Sequence, residues 1–399
     1  MIISLGIATL IGIFGGIFTG LTPGIHTNLL SLVIISISNK FLFNINPLVL
    51  AVFVASMSVT HTFVDFIPSV YLGAPSEDTA LSIMPGHEFL IQGRGHTAIK
   101  LTLLGSLSSI FLLIIIIPCF FLLVPHTIGV IERMMGWLLI WIAIFLLTSK
   151  KEKIPENLII FFLAGFLGFQ TLNLSVNQPL LPLLTGLFGT STIIHSLNNK
   201  TKIRKQRIEK LEINKKTLFK PLLATTLISP VCSFLPGLGA SQAAIIGSKI
   251  VGKLDRKQFL VLMGSINTLV LISSFFTYYL TNKIRTGTVS AISNLISFTP
   301  KTITVIMISI VISAIISTIC TAYLSRKLAN NFHKLNYKLI SQVILVILVI
   351  ITLIISGVGG LIILITATLL GLLCIYLEVR RSLLMGCLLV PTILFYLPF

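Results

Sequence analysis

Apolar runs long enough to cross a lipid bilayer recur along almost the whole chain, and they leave room for few other folds. They fall at about 3–21, 25–38, 47–73, 100–124, 127–148, 158–172, 180–197, 219–235, 239–251, 258–280, 300–324, 339–356, 360–377 and 382–398. A spanning helix needs about 17–25 predominantly apolar residues, and most of these runs supply them. They are rich in Leu and Ile and lack the alternation of membrane-barrel strands. Composition agrees: 10% of residues are charged, against about 25% in a soluble domain. The expectation is an all-α polytopic protein of the cell membrane. The N-terminus has no basic leader region and reads as a membrane segment. Five cysteines, at 119, 232, 320, 374 and 387, sit inside apolar runs without CxxC spacing, so neither a disulfide framework nor a metal site is expected.

Two adjacent pairs of runs differ from the rest. Runs 3–21/25–38 and 219–235/239–251 are each split by a Pro-Gly, Pro23-Gly24 and Pro236-Gly237. Proline withholds an N–H and glycine admits unusual backbone angles, so each pair reads as a broken helix or re-entrant hairpin. Aligning Pro23 on Pro236 places Gly20 on Ser233 and Gly16 on Ser229. The next run carries Ala55-Ser56-Met57-Ser58 in one half and Gly264-Ser265-Ile266-Asn267 in the other. In each half five apolar runs, this one included, follow the broken pair. The predicted organisation is a membrane repeat over 1–197, a basic linker over 198–218 and a second repeat over 219–399.

Basic residues set the orientation. The formal net charge is +18. In a membrane chain this reports cytoplasmic loops rather than nucleic-acid binding. With the linker inside and each broken pair entering and leaving on one side, only Lys40, Arg133, Lys283, Arg285 and Lys301 lie outside. Each half then has about five crossings plus a hairpin. An odd number of crossings makes the repeats inverted and puts the N-terminus outside.

Matched, Pro/Gly-broken segments in two halves point to a transporter's binding site. Helices that restart after the breaks aim their positive N-terminal ends into a common cavity and suit an anion. The expected substrate-binding residues are Thr22, Pro23, Gly24, His26, Thr27, Asn28, Ser233, Pro236, Gly237, Gly239, Ser241 and Gln242. Helix kinks with small residues for close packing are the alternative. His61 and Asp65 share a helix face. A mid-bilayer carboxylate costs at least ~2.5–3.5 kcal/mol, so Asp65 either pairs locally or binds a coupling cation or proton, with Ser56 and Asn267 as further candidates. Residues 73–98 mix apolar and charged groups. Glu77, Asp78, His87 and Arg94 there belong either to a gate or lining loop or to a plain cytoplasmic loop. No HExxH, GxSxG or GxxxxGK[ST] occurs, so neither an enzyme nor ATP-driven transport is expected.

The same segments carry a family resemblance. They are Gly16-x3-Gly20-x2-Pro23-Gly24, then Gly73-Ala74-Pro75 … Pro85-Gly86 … Gly93-Arg94-Gly95 … Ala98, then Ser233-x2-Pro236-Gly237-Leu238-Gly239. With this order of runs, the chain resembles the large permease subunit of the tripartite tricarboxylate transporter family, in its shorter archaeal-type branch. It departs from the pattern at Pro85, where an acidic residue is common. The resemblance implies secondary transport of citrate-like di- or tricarboxylates driven by a sodium or proton gradient. It also implies a small membrane subunit and an extracytoplasmic binding protein as partners, and no cofactor beyond the coupling ion. A translocase for polyprenyl phosphate or another anionic lipid carrier is the alternative that the Pro-Gly hairpins would serve equally well.

Overall fold

The computed structural model describes residues 1–22, 45–72, 79–148, 153–198, 204–211, 213–233, 239–332 and 337–397. These residues are helical almost throughout and include no strand. The helices are α1 (Ile2–Leu21), α2 (Pro47–Val64), α3 (Phe66–Leu72), α4 (Ile83–Ile91), α5 (Gly95–Leu147), α6 (Ile154–Asn173), α7 (Leu180–Leu184), α8 (Ser191–Asn198), α9 (Lys215–Cys232), α10 (Ala240–Ile250), α11 (Arg256–Thr281), α12 (Gly287–Leu295), α13 (Pro300–Phe332), α14 (Tyr337–Tyr376) and α15 (Gly386–Tyr396). A π-helical stretch, Thr185–Thr190, joins α7 to α8. Seven stretches of helix among the described residues are long and apolar enough to cross a membrane. The protein is an all-α, multi-pass membrane protein.

Local signals start the two innermost helices. Asn46 accepts from Leu48 N–H at 2.9 Å, with Pro47 at the first helical position, where a missing N–H costs nothing. Asp255 and Gln258 form a reciprocal capping box at the start of α11, which satisfies two otherwise orphaned donors. α11 is buried nearly from end to end and α2 along most of its length. α1, α6 and α13 turn large apolar residues outward, as lipid-facing helices do.

Two long helices reverse direction inside their span. Gly105 of α5 lies against Val261 and Ser265 of α11, while Leu146, also of α5, lines a cavity with Phe259 of α11. A straight helix would separate Gly105 from Leu146 by roughly 60 Å, so α5 folds back on itself. The sequence places this reversal at 125–126, between two apolar runs, whereas helical geometry persists through it in the structure. In α14 the reversal is explicit: Gly357 takes φ 66° and ψ −162°. Leu348 before it packs on Ile193, and Gly371 after it lies against Leu187 and Ser191. That backbone region is essentially closed to residues with a Cβ. Gly357→Ala is expected to destabilise the protein by about 1–3 kcal/mol, read as a lower melting temperature in detergent. Unchanged melting would contradict a strained turn here.

The halves interlock reciprocally. In the first, α1 lies on α2, with Gly12 against Ser56 and Phe53 and Gly16 against Met57 and Thr60. In the second, α9 lies on α11, with Thr225 bonded to Ser265 at 2.6 Å. The alignment that superposes Pro23 on Pro236 and Ala55 on Gly264 also pairs Gly12 with Thr225 and Ser56 with Ser265. Each buried helix then packs on the long helix of the other half. Ser317 of α13 donates to Thr60 of α2 at 2.8 Å, and Ser106 of α5 donates to the Gly264 carbonyl of α11 at 3.0 Å.

Basic residues gather at one end of the molecule. Arg94 and Lys100 both bond Glu209 of the linker, through its carboxylate and its carbonyl. Arg256 pairs with Glu88, and Lys153 bonds the Leu377 carbonyl and Glu378. The Gln206 side chain is buried between Leu90 O and Gly95 N, which fixes the linker against the start of α5.

Candidate functional site

Pro68 decides where Asp65 sits. It has no N–H to give Val64, and its ring crowds that carbonyl. The hydrogen-bond ladder is therefore interrupted at Asp65, which keeps right-handed helical angles between α2 and α3. Asp65 is only 4% exposed. Its Oδ2 accepts from Asn267 Nδ2 at 3.4 Å. Asn267 is near the middle of the 26-residue α11, so this contact is deep in the molecule and far from either end. One helical turn away Thr62 and Thr268 bring their hydroxyls to 3.3 Å. His61 Nδ1 lies 3.1 Å from Thr19 Oγ1, in the last turn of α1.

The first broken segment arrives at the same depth. Thr22, which caps α1, takes an extended conformation (φ −97°, ψ 106°), as the residue before a proline prefers. Its hydroxyl donates to the Phe18 carbonyl at 2.8 Å. Gly20, just before it, lies against Val64 and the backbone nitrogen of Asp65. The end of α1 and the Asp65–Asn267 contact are thus neighbours.

The second broken segment is a hairpin. α9 ends at Cys232, and α10 restarts at Ala240 behind an extended Gly239. Gly247 of α10 lies against Ala224 and Ile228 of α9, so the two arms run antiparallel. The 11 residues of α10 span roughly 16 Å, about half a bilayer core. Ser233 donates to the Pro230 carbonyl at 2.7 Å and accepts from Thr277 at 3.0 Å. Ser241 is fully buried. Two turns before Asp65 on α2, Ser58 meets Thr288 at 2.9 Å, and Ser274 of α11 meets Thr286 at 3.2 Å. This second polar cluster contains hydroxyls only, whereas the first contains a carboxylate and an imidazole.

Of the expected substrate-binding residues, Pro23, Gly24, His26, Thr27, Asn28, Pro236 and Gly237 lie outside the described residues, as does the side chain of Gln242. Glu77 and Asp78 of the candidate gate also lie outside them. Ser56 faces α1 at Gly12, away from Asp65. Its hydroxyl is buried with no hydrogen-bond partner among the described residues. His87 bonds the Val70 backbone, and burial holds its imidazole below the ordinary histidine range. Arg94 donates to Glu209 at 2.8 Å and stacks over Phe89 at 5.5 Å, which makes it an anchor for the linker.

Thr19, Thr62 and Thr268 complete the Asp65 cluster, and the sequence analysis did not single them out. A signal for them exists. Ser56, Ser58, Thr60, His61, Thr62 and Asp65 point in every direction around one helix, and polar groups on all sides exclude lipid from every side.

The fold is therefore that of a multi-pass membrane protein with a polar seam buried between two interlocked halves. The chain belongs to the tripartite tricarboxylate transporter TctA family, whose model matches residues 7–386. It is also similar to an uncharacterized protein of Methanocaldococcus jannaschii. The two are 30% identical over 406 residues, which cover 97% of this chain and 98% of that one. No solved structure matches.

Proposed function

We propose that the protein is a secondary transporter that moves di- or tricarboxylates across the cell membrane, driven by a sodium or proton gradient. One observation carries the reading: Asp65, Asn267 and the end of the first broken helix meet deep within the bundle. A carboxylate at that depth is costly unless it binds a cation or proton. In the second hairpin, the start of α10 behind Gly239 supplies N–H groups and a positive dipole end for an anion. Pro23-Gly24 holds the matching sequence position in the first half. Reciprocal packing of α2 on α13 and of α11 on α5 supports an inverted repeat with one shared site. The collected basic residues support placing the linker in the cytoplasm and the N-terminus outside. Membership of a tripartite family supports a small membrane subunit and an extracytoplasmic binding protein as partners.

Proteoliposomes containing the purified protein should take up labelled citrate or a dicarboxylate only under a sodium or proton gradient. Pro236→Ala combined with Gly237→Leu should lower that uptake about tenfold, the size of a lost dipole contact in a partly buried site. Wild-type rates in that variant would remove the second hairpin from the site.

A further inference from the structure

The basic end of the molecule holds a cavity of about 530 Å³, within the range of about 300–1,000 Å³ usual for small-molecule sites. Phe188, Phe259 and Ile245 form part of its apolar wall, and Lys249, Arg380 and Arg381 supply cations. None of the residues clustered around Asp65 lines it.

Arg381 is the unusual member. It is only 8% exposed. Its Nη1 bonds the Phe188 carbonyl and the Thr192 hydroxyl, and its Nη2 donates to Ser191 Oγ at 2.8 Å. All three acceptors are neutral. Among the described residues no carboxylate pairs with Arg381, and its Nε has no hydrogen-bond partner. Phe188 lies in the π-helical stretch Thr185–Thr190, a geometry often found at functional sites. The acid on the cavity wall, Glu378, is largely exposed and pairs with Lys153 at 3.3 Å. A buried guanidinium held by neutral groups keeps its full charge and a spare donor, and its planar fork suits phosphate. Lys249 and Arg380 are exposed on the rim.

We propose that this cavity binds the phosphate of an anionic phospholipid. The phosphate reaches Arg381, Arg380 and Lys249, and the lipid's glycerol and first acyl carbons lie on Phe188, Phe259 and Ile245. Free inorganic phosphate shares the charged chemistry, but it leaves the apolar wall without a function. Basic pockets between membrane helices on the cytoplasmic side serve lipid headgroups in this way. The site is independent of the carboxylate route and adds a lipid requirement to it.

The test uses the full-length protein, delipidated in a neutral detergent and examined by native mass spectrometry. It is titrated separately with dioleoylphosphatidylglycerol, dioleoylphosphatidylcholine and inorganic phosphate. One copy of phosphatidylglycerol should be retained, while phosphatidylcholine is lost. Arg381 also braces the π stretch, so the exposed rim residues carry the test. Lys249→Gln and Arg380→Gln should each weaken retention about fivefold, and together about 25-fold, with lipid-free melting unchanged. Equal retention of phosphatidylglycerol by wild type and the double variant overturns the proposal. So does equal retention of the two lipids, or inorganic phosphate binding as tightly as phosphatidylglycerol.

Discussion

Asp65→Asn is expected to yield a folded protein whose uptake no longer responds to an ion gradient. The substitution keeps the side-chain volume and an oxygen that can accept from Asn267, now 3.4 Å from the carboxylate. It removes only the charge. A buried carboxylate carries a desolvation cost of several kcal/mol, which the neutral amide avoids, so the melting temperature in detergent should hold or rise. A charged hydrogen-bonding ligand contributes about 1.5–3 kcal/mol, so gradient-driven uptake in proteoliposomes should fall roughly 10- to 150-fold. Exchange of labelled for unlabelled substrate without a gradient should persist, because the helix-break groups remain. If Asp65→Asn accumulates substrate like wild type, Asp65 is a structural partner of Asn267 and the coupling site lies elsewhere.

This expectation combines a residue that the sequence singles out with a depth that it does not give. The His61/Asp65 spacing and the apolar run make Asp65 conspicuous, but the run alone leaves it as close to the inner end of the helix as to the middle. One long-range fact supplies the depth. Asp65 accepts from Asn267, near the centre of α11. Hydropathy locates α1, α2, α9 and α11 well because lipid imposes a length on each. It also finds the second helix break, since proline and glycine act locally, and α9 and α10 stop and restart on either side of Pro236-Gly237. The reversal within α5 leaves a weaker local signature, because helical geometry continues through it. In the sequence Arg381 falls beside Arg380 between two apolar runs and looks like any other loop cation. Its burial depends on the carbonyl of Phe188 and the hydroxyls of Ser191 and Thr192, almost half the chain away, and no local pattern announces such a contact.

A large loss of stability is expected from adding one methyl group at the crossing of α5 and α11. A Cβ at Gly264 would lie 2.1 Å from the Thr102 carbonyl oxygen, and one at Gly105 would lie 2.0 Å from that of Val261. Both obstacles are backbone, so no side chain can rotate away, and the two helices must move apart. Overpacking typically costs about 1–3 kcal/mol, and more where nothing yields. Gly264→Ala and Gly105→Ala are therefore each expected to cost at least about 3 kcal/mol, seen as earlier melting and aggregation on size exclusion in detergent. Gly6→Ala is the control. Nothing lies within 4 Å of a Cβ there, and the change should stabilise its helix by up to about 1 kcal/mol. The damage at Gly264 should reach function as well. Gly264 lies one helical turn from Asn267 on α11, and the Ser106 bond to its carbonyl, at 3.0 Å, helps set the position of that turn. Moving α11 by an ångström would carry Asn267 beyond hydrogen-bonding reach of Asp65. Gly264→Ala should therefore lose gradient-driven uptake even in the fraction that stays assembled. A Gly264→Ala protein that melts and transports like wild type would show that the two helices are not in backbone contact at this crossing.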